Sequence, residues 1–170
     1  FKELYADQRG GWDPSERECQ LDTDLELLLP DAYINFVEER LRIYRELNDL
    51  KDEAALRTYI GGLEDRFGAL PPQAERLMTS LRLRWLGQAM GFDKIVLKAG
   101  KLLCYFPEEA HDAPPQEVLV NFLSKLQSQP SRYRMKQKGP RISLVVENIP
   151  TVDQAFVTLN ELRPEPHLEP

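Results

Sequence analysis

The hydrophobic pattern begins with a short alternating stretch and then becomes helical. Over residues 18–24, apolar and polar residues alternate, which is typical of a strand with one solvent-exposed face. Residues 34–48, 53–67 and 72–89 then carry apolar residues at helical spacing. Asp52 is positioned to cap the second of these segments. The pattern therefore predicts one strand followed by three helices.

After residue 91 the hydrophobic period changes from that of a helix to that of a strand. Turn residues divide residues 95–106 and residues 132–146 into two hairpins. Helical spacing returns over residues 114–126 and residues 151–162. The order β-ααα-ββ-α-ββ-α predicts an α+β fold in which helices pack on a small antiparallel sheet. The predicted core residues are Leu41, Tyr44, Leu56, Leu63, Phe67, Leu77, Leu81, Phe122 and Phe156.

The breaker residues divide the chain into three parts. Residues 1–17 are predicted to be a linker and the end of a preceding helix, because they contain Gly-Gly and Asp-Pro. Residues 18–163 are predicted to form a single α+β domain, a length that can bury roughly 70% of the unfolded surface. Residues 164–170 are rich in proline and are predicted to be an irregular tail. The start at Phe1, inside a helical pattern, indicates an excised fragment.

Net charge changes which partners are expected. The formal charge is −6, whereas nucleic-acid binding draws its affinity from clustered Lys and Arg. Protein partners are therefore favoured. No apolar run approaches the roughly 20 residues of a membrane span, and a cytoplasmic protein is expected. Cys19 and Cys104 lie far apart and are expected to be reduced, partly buried thiols.

The sequence contains no recognisable catalytic constellation. Its Gly-Gly pairs lack the Lys-Ser/Thr context of a phosphate-binding loop. The two histidines, His111 and His167, have no cysteine or acid in a nucleophile or metal pattern. Acid pairs such as Glu38-Glu39 and Glu108-Glu109 are interpreted as solvated faces. The chain is therefore predicted to be non-catalytic, with no cofactor and no metal.

Two basic segments leave alternatives open. Residues 132–138 alternate basic residues with Tyr133 and Met135, which the strand period explains if those two side chains face the core. Arginines also occur along the third helix, at positions 76, 82 and 84. Solvated basic faces are the first interpretation, and an anionic protein partner or nucleic acid are the others.

The segment over residues 63–71 places one residue unfavourably. Its apolar residues fit the core, and Arg66 suits the negative end of a helix. Asp65 does not, because it faces exposed carbonyl oxygens. Either a neighbouring arginine offsets this charge, or the acid serves an external basic partner. The preceding Gly61-Gly62 pair either allows close helix packing or weakens the helix.

The same residues carry a resemblance to a known family. The motifs are Asp65-Arg66-Phe67-Gly68 with Leu70-Pro71, the earlier Leu29-Pro30-Asp31-Ala32-Tyr33-Ile34, and Leu83-Arg84 followed by residues 90–95. Together they resemble the C-terminal domain of bacterial transcription-repair coupling factors. The match in element order covers about residues 18–163.

The resemblance implies a function for the domain. The family's full protein is an ATP-driven DNA translocase that recognises stalled RNA polymerase and recruits the excision-repair protein UvrA. Its C-terminal domain packs on a UvrB-like N-terminal module of the same chain, masks the UvrA-binding surface and restrains the motor. ATP and DNA then belong to the parent protein, and the isolated domain is expected to be a monomer.

The resemblance also implies an interface through acidic residues that face arginines. The family's first acid corresponds to Asp65, and its second falls at Gly62, where this chain has none. Glu64 is the candidate substitute, although it points to a different side of the helix. The alternative function is a nucleic-acid-binding accessory domain of a DNA motor.

Overall fold

The computed structural model describes residues 18–108 and 116–163. Within those ranges the elements follow the predicted order, which confirms the α+β class. The strands are β1 (Gln20–Thr23), β2 (Lys94–Lys98), β3 (Lys101–Tyr105), β4 (Tyr133–Lys138) and β5 (Arg141–Glu147). The helices are α1 (Val37–Asp49), α2 (Glu53–Phe67), α3 (Pro72–Ala89), α4 (Gln116–Gln127) and α5 (Val152–Leu162). The linker over residues 1–17, the Pro114-Pro115 start of α4 and the tail over residues 164–170 lie outside the described residues.

The strands form one sheet in the order β1-β2-β3-β5-β4. Both predicted hairpins are present, and they join through antiparallel pairing of β3 with β5. β1 differs from the expected antiparallel sheet, because it pairs parallel to β2. Parallel pairing needs a long crossover connection, and the three helices between the two strands supply it. The sheet is therefore mixed.

Short-range signals set the ends of several elements as predicted. The Asp52 carboxylate accepts a hydrogen bond from the Ala55 N–H at 2.8 Å, which caps α2. The Thr151 hydroxyl caps α5 in the same way. The first hairpin turns through Ala99 and Gly100, both with positive φ, as a tight hairpin loop requires. No helix in the described part of the chain has the length and apolarity of a membrane span.

Two groups of buried side chains stabilise the molecule. The sheet cluster packs α3, α4 and α5 against one face of the sheet. The helical cluster lies among α1, α2 and the first half of α3. Helix α3 contributes to both, with Met78 and Leu81 in the helical cluster and Leu83 and Leu86 in the sheet cluster. The three-helix part is therefore fixed to the sheet through one long helix.

Most of the predicted core is confirmed, with one exception. Leu41 is 50% exposed, so its assignment to the core is wrong. The buried residues are Leu56, Leu63, Leu81 and Phe122, and those partly buried at the cluster edges are Tyr44, Phe67, Leu77 and Phe156.

The error at Leu41 comes from the rotation of α1 about its axis. The helix buries Ile43 and Leu47. Arg40 turns towards the preceding loop, where its guanidinium donates to the Ile34 carbonyl oxygen at 2.7 Å. Because Ile43 and Leu47 face inwards, Val37 and Leu41, which lie well around the helix axis from them, are turned towards solvent. The apolar stripe is wider than the face that the domain buries.

Candidate functional site

The outer face of α2 bears the residue that the sequence placed unfavourably. Leu56 and Leu63 fix the opposite face, because both are buried in the helical cluster. At about 100° per residue, Gly61 and Gly62 lie on either side of Asp65. All three are exposed. We refer to Gly61, Gly62 and Asp65 as the α2 acidic face.

Asp65 makes no hydrogen bond or ion pair within the described residues. The nearest candidate partner in sequence, Arg66, is engaged elsewhere. Its guanidinium pairs with Glu39 of α1 and lies over the Phe67 ring, 4.7 Å from its centroid. The neighbouring arginine therefore does not offset the Asp65 charge. That carboxylate remains at the negative end of the helix, exposed to solvent or to an external group.

Glu64 lies on a different side of the same helix, as predicted. Its carboxylate accepts a hydrogen bond from the Leu70 N–H at 3.4 Å, just beyond the end of α2. It also raises the pKa of Tyr33, although burial of that phenol is the larger cause. Glu64 lines a polar depression of about 460 Å³ between α2 and α3, together with Glu75 and Arg76. The structure therefore does not bring Glu64 to the side occupied by Gly62.

The Gly61-Gly62 pair does not serve packing inside the domain. A Cβ added at either position would meet nothing within 4 Å. The sequence left two roles for this pair, close helix packing or local weakening of the helix, and among the described residues no other helix packs closely against it. The pair instead leaves a flat stretch of helix surface beside Asp65, which another molecule can approach closely.

The basic segment over residues 132–138 follows the strand period, as expected. Tyr133 is buried and Met135 is partly buried, whereas the basic residues are exposed. Arg132 pairs with Glu161 at 3.0 Å and Arg134 with Glu147 at 3.6 Å. Both pairs reduce the positive charge of this segment.

Two arginines of α3 connect elements rather than lying free on a solvated face. Arg82 donates two hydrogen bonds to Glu53, at 2.8 and 3.0 Å. Arg84 donates to the side chain of Asn48 at 2.8 Å and to the Cys19 carbonyl oxygen at 3.3 Å. Arg82 therefore ties α3 to α2. Arg84 ties α3 to the end of α1 and to the residue that precedes β1. The sequence alone offered no signal for either contact.

Neither thiol is suited to nucleophilic chemistry. Both cysteines are free and buried. Burial, with a smaller contribution from Asp93, raises the pKa of Cys19 to about 12. Burial also raises the pKa of Cys104 well above its usual value. Such thiols are protonated at neutral pH. Across residues 18–108 and 116–163, no group of three acids, histidines or cysteines could hold a metal ion.

Comparison with known proteins points to a single family. The model of the TRCF domain family matches residues 23–117. The transcription-repair-coupling factor of Escherichia coli K12 is 31% identical over 123 residues, which cover 72% of this chain and 10% of that protein. The factor of Haemophilus influenzae Rd is 30% identical over 136 residues, which cover 76% and 10%. The chain thus spans about a tenth of the length of these curated relatives.

A solved structure matches the fold. It is the crystal structure of the C-terminal domain of a transcription-repair coupling factor, with a TM-score of 0.66 and 16% sequence identity. The alignment covers 86% of this chain and 94% of that structure. At this level of identity the match establishes the architecture rather than individual site residues.

Proposed function

The chain belongs to the transcription-repair-coupling factor family and has the fold of that family's C-terminal domain. We propose that it is a non-catalytic regulatory module. In this proposal it docks on the UvrB-like N-terminal module of its parent protein. Docking masks the UvrA-binding surface and restrains the ATP-driven DNA motor until stalled RNA polymerase is engaged. ATP and DNA are bound by the parent protein and not by this module.

The exposed carboxylate of Asp65 is the observation that supports the proposal. Its carboxylate has no partner in the described part of the chain, and Arg66 is held by Glu39. An unpaired acid at a helix C-terminus is unfavourable by a few tenths of a kcal/mol. An arginine of the docked module would remove that cost, and the two glycines leave room for it to approach. The α2 acidic face is therefore the proposed docking surface.

A contact of this kind suits a regulator that must release. Opposite charges across an interface set orientation and specificity more than affinity. Interfaces between domains of one chain are typically modest in area and partly polar. Release then requires only that engagement of polymerase favour the undocked state by a few kcal/mol.

The direct test is binding of this chain to the isolated N-terminal module. Asp65→Ala should weaken binding by about 1–3 kcal/mol if the pair is partly desolvated, and by under about 1 kcal/mol if it stays exposed. Asp65→Arg should weaken it further, because it adds repulsion to the lost attraction. In the full-length protein, both changes should raise UvrA binding and ATPase activity.

Matched controls separate docking from stability. Asp49 is an exposed acid in the last turn of α1, so Asp49→Ala repeats the helix-end change on another surface and should leave docking intact. Asp65→Ala should leave the melting temperature of this chain unchanged or slightly higher. If it instead destabilises the chain by a kcal/mol or more and docking is unaffected, Asp65 has an internal role and the proposal fails.

Glu64 and Gly62 test the second acid of the interface. If Glu64 substitutes for the family's acid, Glu64→Ala and Asp65→Ala should be non-additive in the double mutant. Gly62→Asp would place an acid beside Asp65 in open space, and should strengthen docking. Additive effects together with no gain from Gly62→Asp would leave Asp65 as the single acidic contact.

The alternative function, a nucleic-acid-binding accessory domain, makes a different prediction. It requires a salt-sensitive shift of duplex DNA by the isolated chain. The net charge of −6 and the ion pairs of Arg132 and Arg134 argue against it. We expect the isolated chain to be a monomer that neither shifts DNA at physiological salt nor hydrolyses ATP.

A further inference from the structure

Helix α1 has a second apolar side that the domain does not use. Leu28, Phe36, Val37 and Leu41 are each at least 50% exposed, and we call them the α1 patch. The last three lie at the start of α1 or just before it. Leu28 lies beside the same helix, because the N–H of the next residue, Leu29, donates to the Tyr44 hydroxyl at 2.7 Å. Large exposed apolar side chains gathered in one place mark interaction surfaces.

The α1 patch faces away from the α2 acidic face. Glu39 and Glu46 mark the side of α1 that lies against α2, since they contact Arg66 and Tyr59 of that helix. Val37 and Leu41 both lie about 160° around the helix axis from Glu39. The patch is therefore a separate surface, and its role does not depend on the docking role of Asp65.

Acidic residues surround the α1 patch. Glu26 is exposed two residues before Leu28, and Glu38 is exposed between the apolar residues of α1. Neither forms an ion pair within the described residues. The Asp31 side chain is 87% exposed, and its carboxylate forms one ion pair, with Arg40 at 3.5 Å, within the described residues. Of the arginines beside Leu41, Arg42 is paired with Glu39 and Glu46, and Arg45, one turn later, forms no ion pair within the described residues. A partner would therefore meet apolar groups bordered mainly by carboxylates.

We propose that the α1 patch binds a short amphipathic helix whose apolar stripe is flanked by Lys or Arg. The apolar residues of such a helix would bury the patch, with anchors at the helical spacing that this mode of recognition uses. Its basic residues would face Glu26, Asp31 and Glu38. Complementary charge of this kind orients the bound helix and excludes acidic competitors.

A second copy of this chain is a poorer occupant. Stable dimers bury about 800 Å² on each partner, and four partly exposed side chains fall well short of that area. Each copy also carries a net charge of −6, so two copies repel one another at low salt. A short peptide helix needs less buried area than a stable dimer, because it binds more weakly, and a basic one is attracted by the net charge of this chain.

The test uses two designed peptides of about 18 residues, or five helical turns. Both carry a leucine stripe, and the remaining positions are mostly Lys in one peptide and mostly Glu in the other. Fluorescence anisotropy should show binding of the Lys peptide alone, and the affinity should fall as salt is raised. Leu41→Glu should weaken binding about tenfold or more, because it places a charge in the centre of the apolar contact.

Control variants decide what each outcome means. Val157 of α5 is exposed to a similar degree as Leu41, so Val157→Glu should bind the Lys peptide as the unmodified chain does. Asp65→Ala should also leave binding unchanged. The proposal is overturned if the Lys peptide fails to bind or if Leu41→Glu binds it equally well. Sedimentation equilibrium that reveals a dimer abolished by Leu41→Glu would assign the patch to a second copy instead.

Discussion

Two helix glycines should respond differently to the same substitution by alanine. Gly62 in α2 has nothing within 4 Å of an added Cβ. Gly87 in α3 is buried, and its added Cβ would come within 2.6 Å of Ile95 Cδ1 and 3.0 Å of Cys19 Sγ. Alanine in a helix interior is favoured over glycine by about 1 kcal/mol at either site. The difference between the two must therefore come from packing.

The packing contribution can be estimated from these contacts. At Gly62 the propensity gain is unopposed, so Gly62→Ala should stabilise the chain by about 1 kcal/mol. At Gly87 an added methyl group overpacks the contact between α3 and β2, at a cost of about 1–3 kcal/mol. Ile95 is fully buried, so its methyl group has no free space to enter. The net effect of Gly87→Ala should lie between zero and about 2 kcal/mol of destabilisation.

Urea and thermal unfolding of the two variants measure these effects. Gly62→Ala should raise the melting temperature by about 2–4 °C, the shift expected for 1 kcal/mol in a chain of this size. Gly87→Ala should leave it unchanged or lower it. Equal stabilisation by both substitutions would show that α3 does not approach β2 closely. Destabilisation by Gly62→Ala would show that the outer face of α2 is covered.

The remaining predictions concern the core, the thiols and one ion pair. Leu56→Ala should cost about 2–5 kcal/mol, because the side chain is fully buried, whereas Leu41→Ala should change the free energy of unfolding by under about 0.5 kcal/mol; urea denaturation compares them. Cys19 should resist alkylation at pH 8 until the chain unfolds, as mass spectrometry would show, because its pKa is raised to about 12; rapid labelling of the folded chain would contradict this. Hydrogen bonds from Arg82 lower the pKa of Glu53, so the unmodified chain should lose stability relative to Glu53→Gln as pH falls through that lowered pKa. A stability difference independent of pH from neutral to acid would refute this last prediction.

The succession of helices and strands was predictable because local signals carry it. Asp52 and Thr151 cap helices with their own side chains, and Ala99-Gly100 turns a hairpin through its own backbone. Such signals act over a few residues, so a single sequence is sufficient to read them. The same holds for Leu56, Leu63 and Phe122, which lie at the centre of their apolar stripes.

The proposed docking site was predictable only in part. The unfavourable position of Asp65 follows from helix electrostatics and can be seen in the sequence. That Arg66 does not pair with this carboxylate depends on Glu39, which engages Arg66 from another helix. The openness around Gly61 and Gly62 depends likewise on which face of α2 packs inward. Contacts between elements distant in sequence decide both points.

The sequence by itself determined the element order, the α+β class and the resemblance on which the functional proposal rests, because periodicity, caps and motifs are local properties of the chain. The tertiary structure alone decided that β1 runs parallel to β2, because that pairing depends on where three intervening helices return the chain. It also decided that α1 buries Ile43 and leaves Leu41 exposed. An apolar stripe wider than one packing face is compatible with several rotations of a helix, and only the neighbouring elements select one of them.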